Sequence, residues 1–477
     1  MVLKSIGVLL LCLVSFVGWA QLEKNYFPSP IHDTLSLDMA NALKLKLEKD
    51  KARINEPSRE ANAFLKSLYE KRYEYLAKSV NDDFFVVDSA FTPFLQSILN
   101  KIYKANPQLP RQTNVYALRS SPPNAVSFGD GTLGFTLSLL ARLENEDQVA
   151  FILCHEIAHY HSEHSVTDMK ELARVNYDKD LKRKIDEVKR NPYGKYTKLK
   201  EIFKSMGLSL SQHSRVHEAE ADSLGFAYFS AMHYDLRQAS RVMEILDGAS
   251  LPMDTHLIDF KKHFDFKDYP FKTSWLKYAK SSTWHAPPIE DDSLQTHPDC
   301  KRRAVALDRQ RQRLGGERSS GSTAGKVPWI REKSQFEMIH SDYHFKNYGR
   351  ALFRALLLAD RYPENIYLQA VIGKSLYQLF VYQQNHELGK VLELPDPRFP
   401  ENYDRFVTFI HSLRLMELSS LAYHYITTRP SASFEDEEFL YAVWLCSTLQ
   451  VSNLSPDKVK EEYAERFPRG KYLKQMK

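Results

Sequence analysis

The sequence predicts an α+β fold, mainly α: a domain in which a small β-sheet precedes one apolar helix, followed by an all-α domain. Three observations predict it. Short strand-like runs at Asn114–Leu118, Ala125–Phe128 and Thr132–Thr136 lie close together, separated by Ser121-Pro-Pro-Asn124 and by the turn signal Gly129-Asp-Gly131. Apolar residues before and after them recur mostly at helical spacing. A glycine- and serine-rich stretch, Gly315–Gly325, then reads as a linker before a long helical remainder.

The chain opens with a basic start, an apolar run from Ile6 to Val17 and a small-residue exit at Gly18-Trp19-Ala20, the layout of a secretory signal peptide over residues 1–20. Residues 21–54 are polar and unpatterned, a loosely packed lead-in. Residues 55–314 form the first domain. Its helices are expected at Asn55–Ala77, with apolar Phe64, Leu65 and Leu68, and from Thr92, as cap before Pro93, to Tyr103. The charged interval 165–213 reads as a solvated helical pair, Ser214–Gly225 opens a further helix, and Tyr234–Leu246 is amphipathic. Asp247–Pro288 has no clean period and reads as an irregular arm or lid. Residues 315–330 are the linker and 331–477 the helical C-terminal domain. There the phrases Arg361-Tyr-Pro-Glu-Asn-Ile-Tyr367 and Arg466-Phe-Pro-Arg-Gly-Lys-Tyr472 echo each other, as in tetratricopeptide-like arrays; a plain helical bundle fits equally.

Composition sets limits on function. The 477 residues are 43% hydrophobic and 26% charged, ordinary globular material. The net charge of +5 falls to +4 without residues 1–20, too weak a balance to argue for nucleic acid. No later stretch approaches the ~18 continuous apolar residues of a membrane span, so no transmembrane segment is expected in the mature chain. Export, to the periplasm first of all, is the expected localisation. Cys154, Cys300 and Cys446 are too few for a disulfide framework, although an exported chain has room for one bridge.

The chemistry concentrates in Phe151-Ile-Leu-Cys-His-Glu-Ile-Ala-His159. On a helix, positions i and i+4 share a face about 6 Å apart along the axis, so His155 and His159 can reach one ion with Glu156 beside it. This is the HExxH zinc signature. Catalytic zinc takes three protein ligands and keeps a position for water, whose proton an adjacent carboxylate can accept. A third ligand six residues after His159 would need a glycine at position 162 and a histidine at position 165, but the chain has Ser162 and Ser165. His164 would lie about 140° around an uninterrupted helix from His159. Lys179 stands where a glutamate one helix further on would fall. Glu218 fits instead, with Asp222 one turn later on the same face to accept a hydrogen bond from a ligand histidine; Glu220 points away and reads as a solvated acid.

With these residues in place, the chain resembles the zinc metallopeptidase family of gluzincins that includes HtpX, the CAAX prenyl proteases, Oma-type and BepA-type proteases. The motifs are HEIAH, SRVHEAEADSLG, Asn124-Ala125, Tyr234-Asp235, and Thr296-His297-Pro298 followed by Arg303, over roughly Phe94 to Leu307. The resemblance implies one zinc per chain on His155, His159 and Glu218, Glu156 as general base, and Asp222 as orienter. It also implies a substrate-binding strand at Asn124 and Ala125. His297 would bind substrate, stabilise the oxyanion or block the free zinc position, and Arg303 would support its loop. Gly129-Asp-Gly-Thr-Leu-Gly134 departs from the family hairpin, and the hydrophobic segments of the membrane-integral members are missing. The expectation is therefore an exported endopeptidase acting on protein or peptide substrates, with envelope clients recruited by the C-terminal helices. The alternative is a client-binding chaperone or scaffold with latent or absent protease activity.

Overall fold

The computed structural model describes residues 22–30, 34–56, 58–120, 123–177, 215–248, 256–276, 299–315, 327–396 and 399–476. They divide into two units. One draws its described residues from 29–250 and 289–331, the other from 22–28, 251–288 and 332–476. The first holds the small sheet and the histidine-bearing helix; the second is helical.

In the first unit, the lead-in is more ordered than its sequence suggests. Thr34–Ala52 is a helix that buries Leu43 and Leu47, and it pairs with the helix Arg59–Asn81 through Leu65, Tyr69 and Leu76. Ser58, not Asn55, starts that second helix by accepting a hydrogen bond from the Ala61 amide. The helix Phe91–Ala105 also lacks the expected threonine cap. Asp88 accepts from the amides of Ala90 and Phe91 instead, while Thr92 turns its hydroxyl to the Val86 carbonyl.

Among the described residues four strands form one sheet: β1 (Phe85–Val86), β2 (Asn114–Leu118), β3 (Ala125–Ser127) and β4 (Thr132–Thr136), in the order β1-β2-β4-β3. β1 is too short to show in the sequence. β4 is buried along its whole length, parallel to β2 and antiparallel to β3. β3 is consequently an edge strand among the described residues. The connection between β3 and β4 uses Gly129 and Gly131 at φ +77° and +88°, where side chains are strained, and Asp130 fixes it by accepting from the Thr132 amide.

The histidine helix, Glu146–His161, is buried continuously from Asp147 to Ala158 and packs on Phe91–Ala105, Arg237–Asp247 and β3. Asn145 caps it, and Glu146 and Asp147 place negative charge at its positive end. Residues 178–214, 277–298 and 316–326 lie outside the described residues.

The helical unit is built around Ile366–Gln384, which packs on Tyr348–Arg361, Leu415–Thr427 and Glu437–Ser447. Val327–His344, Glu401–Ser412 and Pro456–Arg466 complete it, so helix begins at Val327, within the stretch read as linker. The two echoing phrases do fold alike. Tyr362 and Phe467 end their helices at φ/ψ of −125°/64° and −126°/67°, because a residue before proline is steered out of the helical region.

Two further segments join this unit against expectation. The stretch read as an irregular arm has its described part, 256–276, in the core: Phe260 stacks on Phe409 at 4.2 Å, and Trp275 is buried. Residues 22–28, read as loose, are pinned. Asn365 donates to the Leu22 carbonyl at 2.6 Å and Asn25 to Asp436 at 2.9 Å, while the Tyr367 amide donates to Asn25 at 3.0 Å. Tyr26 stacks on Phe336 at 4.7 Å and its hydroxyl donates to the buried Glu337. Replacing Tyr26 by alanine therefore opens a core cavity and is expected to destabilise the helical unit by about 3 kcal/mol, measured by denaturant unfolding followed through Trp275 and Trp444.

Candidate metal centre

His155, Glu156 and His159 stand on the histidine helix; Glu218 and Asp222 stand one turn apart on the helix through residues 215–230. What brings the two helices together is Gly225. A Cβ there would lie 2.8 Å from Cα and 2.9 Å from N of His155, a backbone that cannot yield. Phe151 meets Phe229 edge to face at 5.6 Å on the same seam.

The donor atoms converge. Nε2 of His155 and Nε2 of His159 are 3.0 Å apart. Oε1 of Glu218 is 3.3 Å from the second and Oε2 is 3.7 Å from the first. Among the described residues this is the one group of three His, Cys, Asp or Glu side chains whose donor atoms all lie within 4.8 Å. Nδ1 of His155 lies 3.0 Å from Oδ1 of Asp222, an acceptor that assigns the ring hydrogen to Nδ1 and leaves the Nε2 lone pair facing inward. Two nitrogens and a carboxylate aimed at one point repel one another unless a cation lies between them. The donor set suits zinc.

Asp222 is held in turn by Arg303, whose Nε and Nη2 donate to its two oxygens at 2.7 and 2.8 Å while Nη1 lies 2.7 Å from Glu218 Oε2. Burial alone would raise the Asp222 carboxyl, but hydrogen bonds from His155 and Arg303 outweigh it and hold the group below the usual carboxylate range. Burial likewise disfavours the Arg303 charge, and Asp222 with Glu218 more than restores it. Arg303 thus braces the two acids, and the loop it is expected to support, with His297, lies outside the described residues.

The other expected residues also have places. Glu156 is buried and, with His155 and Arg303, borders an apolar recess walled by Ala125, Leu139, Ile152, Val242 and Met243. Asn124 does not enter this recess: its backbone is tied to Thr136, which donates to the Asn124 carbonyl and accepts from the Asn124 amide. Tyr234 donates to Glu146, and the Asp235 amide donates to the fully buried Asp147 at 3.0 Å, so both anchor the start of the histidine helix. Cys154, Cys300 and Cys446 are buried, and burial raises the Cys154 thiol far above its ordinary value.

One neighbour escaped the sequence reading. The histidine helix stops at His161, Glu163 turns at φ +52°, and a new helix, His164–Tyr177, begins. With the helix broken, His164 swings back until its Nδ1 lies 2.9 Å from Nδ1 of His159. Burial, with the imidazoles of His159 and His217 close by, pushes His164 down to about 4. Glu220, although half-exposed, is engaged there: Oε2 is 3.4 Å from Nε2 of His164, and Oε1 accepts from Ser162. A third histidine soon after HExxH was the available signal; the break itself has no glycine or proline to announce it.

Residues 90–311 match the family model of Peptidase family M48. The match bears out the resemblance carried by HEIAH and SRVHEAEADSLG and supports a metallopeptidase function for this segment. A comparison with curated proteins returns no match. Because the Gly225 contact is with backbone, Gly225→Ala is expected to cost about 1–3 kcal/mol of stability. It should also move Glu218 away from the histidines, seen as weaker zinc binding in a chelator-competition titration.

Proposed function

We propose that the M48 peptidase segment, residues 90–311, is a zinc-dependent endopeptidase in which His155, His159 and Glu218 hold one metal ion per chain and Glu156 is the general base. The observation that carries this reading is the convergence of the two Nε2 atoms and the Glu218 carboxylate beside a buried glutamate on the same helix.

When bound, zinc would polarise the scissile carbonyl and lower the pKa of the attacking water. The chain's own residues do the rest. A peptide pairs along the edge strand β3 from Ala125, with Asn124, held by Thr136, fixing the start of that strand, in the extended form that β-addition requires. Ala125 places that strand beside Glu156 at the rim of the apolar recess, which receives an apolar side chain flanking the scissile bond and keeps water scarce. Glu156 accepts the proton of the attacking water and returns it to the leaving amine. Asp222, clamped by Arg303, holds His155 in the tautomer that presents Nε2. His297 either contacts the substrate carbonyl or closes the remaining metal position; loss of activity in His297→Ala marks the first and a gain marks the second.

The apolar run of residues 6–17 supports export, and the helical unit supports capture of envelope protein clients in the periplasm. A scaffold that binds clients without cleaving them is the competing reading. Wild type is expected to carry one zinc and to degrade an unfolded protein such as casein. Glu156→Gln should keep the zinc and lose at least ~100-fold in cleavage, and chelation followed by zinc should remove and restore wild-type activity. Undiminished cleavage by Glu156→Gln would sink the role of Glu156. A zinc-loaded wild type that holds casein intact would favour the scaffold.

A further inference from the structure

An imidazole that donates one nitrogen to a metal must carry its hydrogen on the other, and something must hold that hydrogen in place. For His155 the holder is Asp222. For His159 the outer nitrogen, Nδ1, lies 2.9 Å from Nδ1 of His164, its one hydrogen-bond partner among the described residues.

The tautomers follow from the contacts. Two nitrogens at 2.9 Å share one hydrogen, since two N–H groups would clash and two lone pairs would repel. As a ligand on the metal-binding reading, His159 offers its Nε2 lone pair to the ion that Glu218 and His155 also face, so its hydrogen is on Nδ1 and is donated to His164. His164 accepts at Nδ1 and therefore carries its own hydrogen on Nε2, which faces Oε2 of Glu220 at 3.4 Å. The His164 ring is fixed in plane as well. His217 stacks on it with centroids 4.3 Å apart and planes 10° apart, and Nδ1 of His217 is 3.0 Å from Oδ1 of Asp168. His164 is 4% exposed, so water cannot substitute freely for the acceptor it supplies.

We propose that His164, backed by Glu220 and stacked on His217, is the positioning residue for His159 and the neutral counterpart of the Asp222–Arg303 pair behind His155. The proposal rests on the metal-binding reading above. The two ligand histidines are then held unequally, one by a carboxylate and one by an imidazole, which makes His159 the weaker and more easily released ligand.

The test uses the full chain loaded with zinc. His164→Phe keeps the ring and its stack but removes the acceptor, whereas His164→Asn restores an acceptor near the Nδ1 position. The zinc dissociation constant, from competition with a chromophoric chelator, is expected to rise about 10–100-fold in His164→Phe and to recover most of that in His164→Asn. The cobalt-substituted protein should show an altered visible spectrum in His164→Phe and a wild-type one in His164→Asn. Unchanged zinc affinity and spectrum in His164→Phe would overturn the proposal. Should that variant not fold, nitrogen NMR of the zinc-loaded wild type decides, because a hydrogen found on Nδ1 of His164 contradicts the proposal and one on Nε2 of His164 supports it. A wild type that binds no zinc removes the metallopeptidase reading itself, an outcome distinct from both.

Discussion

The closeness of two helices at Gly225 is the constraint on which the site depends. With no side chain between it and the His155 backbone, the helix through residues 215–230 lies near enough for Glu218 and Asp222 to address opposite nitrogens of one ring. The closeness has an electrostatic consequence. Glu156, Glu218 and Asp222 gather in a largely buried volume against one guanidinium, that of Arg303. With the three carboxylates ionised, two negative charges remain, which one divalent ion offsets; unoffset, such charges are costly away from water. The same geometry that makes the site improbable as an empty cavity makes it suitable as a metal centre.

Much of this centre was legible because its residues sit on regular elements whose periods are known. His155 and His159 follow from the i, i+4 rule, and Glu218 with Asp222 from the same rule on a second helix. What could not be read were places where regularity ends without a marker. Glu163 adopts a left-handed conformation as a glutamate, so no glycine signalled that His164 turns back toward His159. Arg303 was noticed through its motif, but its two-oxygen grip on Asp222 depends on a third helix, Cys300–Arg313, whose approach no local pattern encodes.

The fold divides the same way. The strands β2, β3 and β4 were evident from turn residues and alternation, and the histidine helix from its apolar run and acidic first turn. The C-terminal helices were evident as helix but not in their breaks, which fall at Phe345–Asn347 and at Leu413-Arg414 without proline. Residues 22–28 were illegible for a different reason: they have no period of their own, and their order comes entirely from distant partners.

That dependence bears on how the chain folds. Asn25 and Asp436 are 411 positions apart, and Tyr26 and Glu337 are 311 apart. During synthesis, amino end first, the earliest described residues emerge long before the helices that bind them. Neighbouring helices form cheap local contacts, whereas closing a loop of this length carries a larger entropic cost and raises the contact order of the final step. The contacts of Tyr26, Leu22 and Asn25 described above thus wait on the synthesis of Glu337, Asn365 and Asp436 respectively.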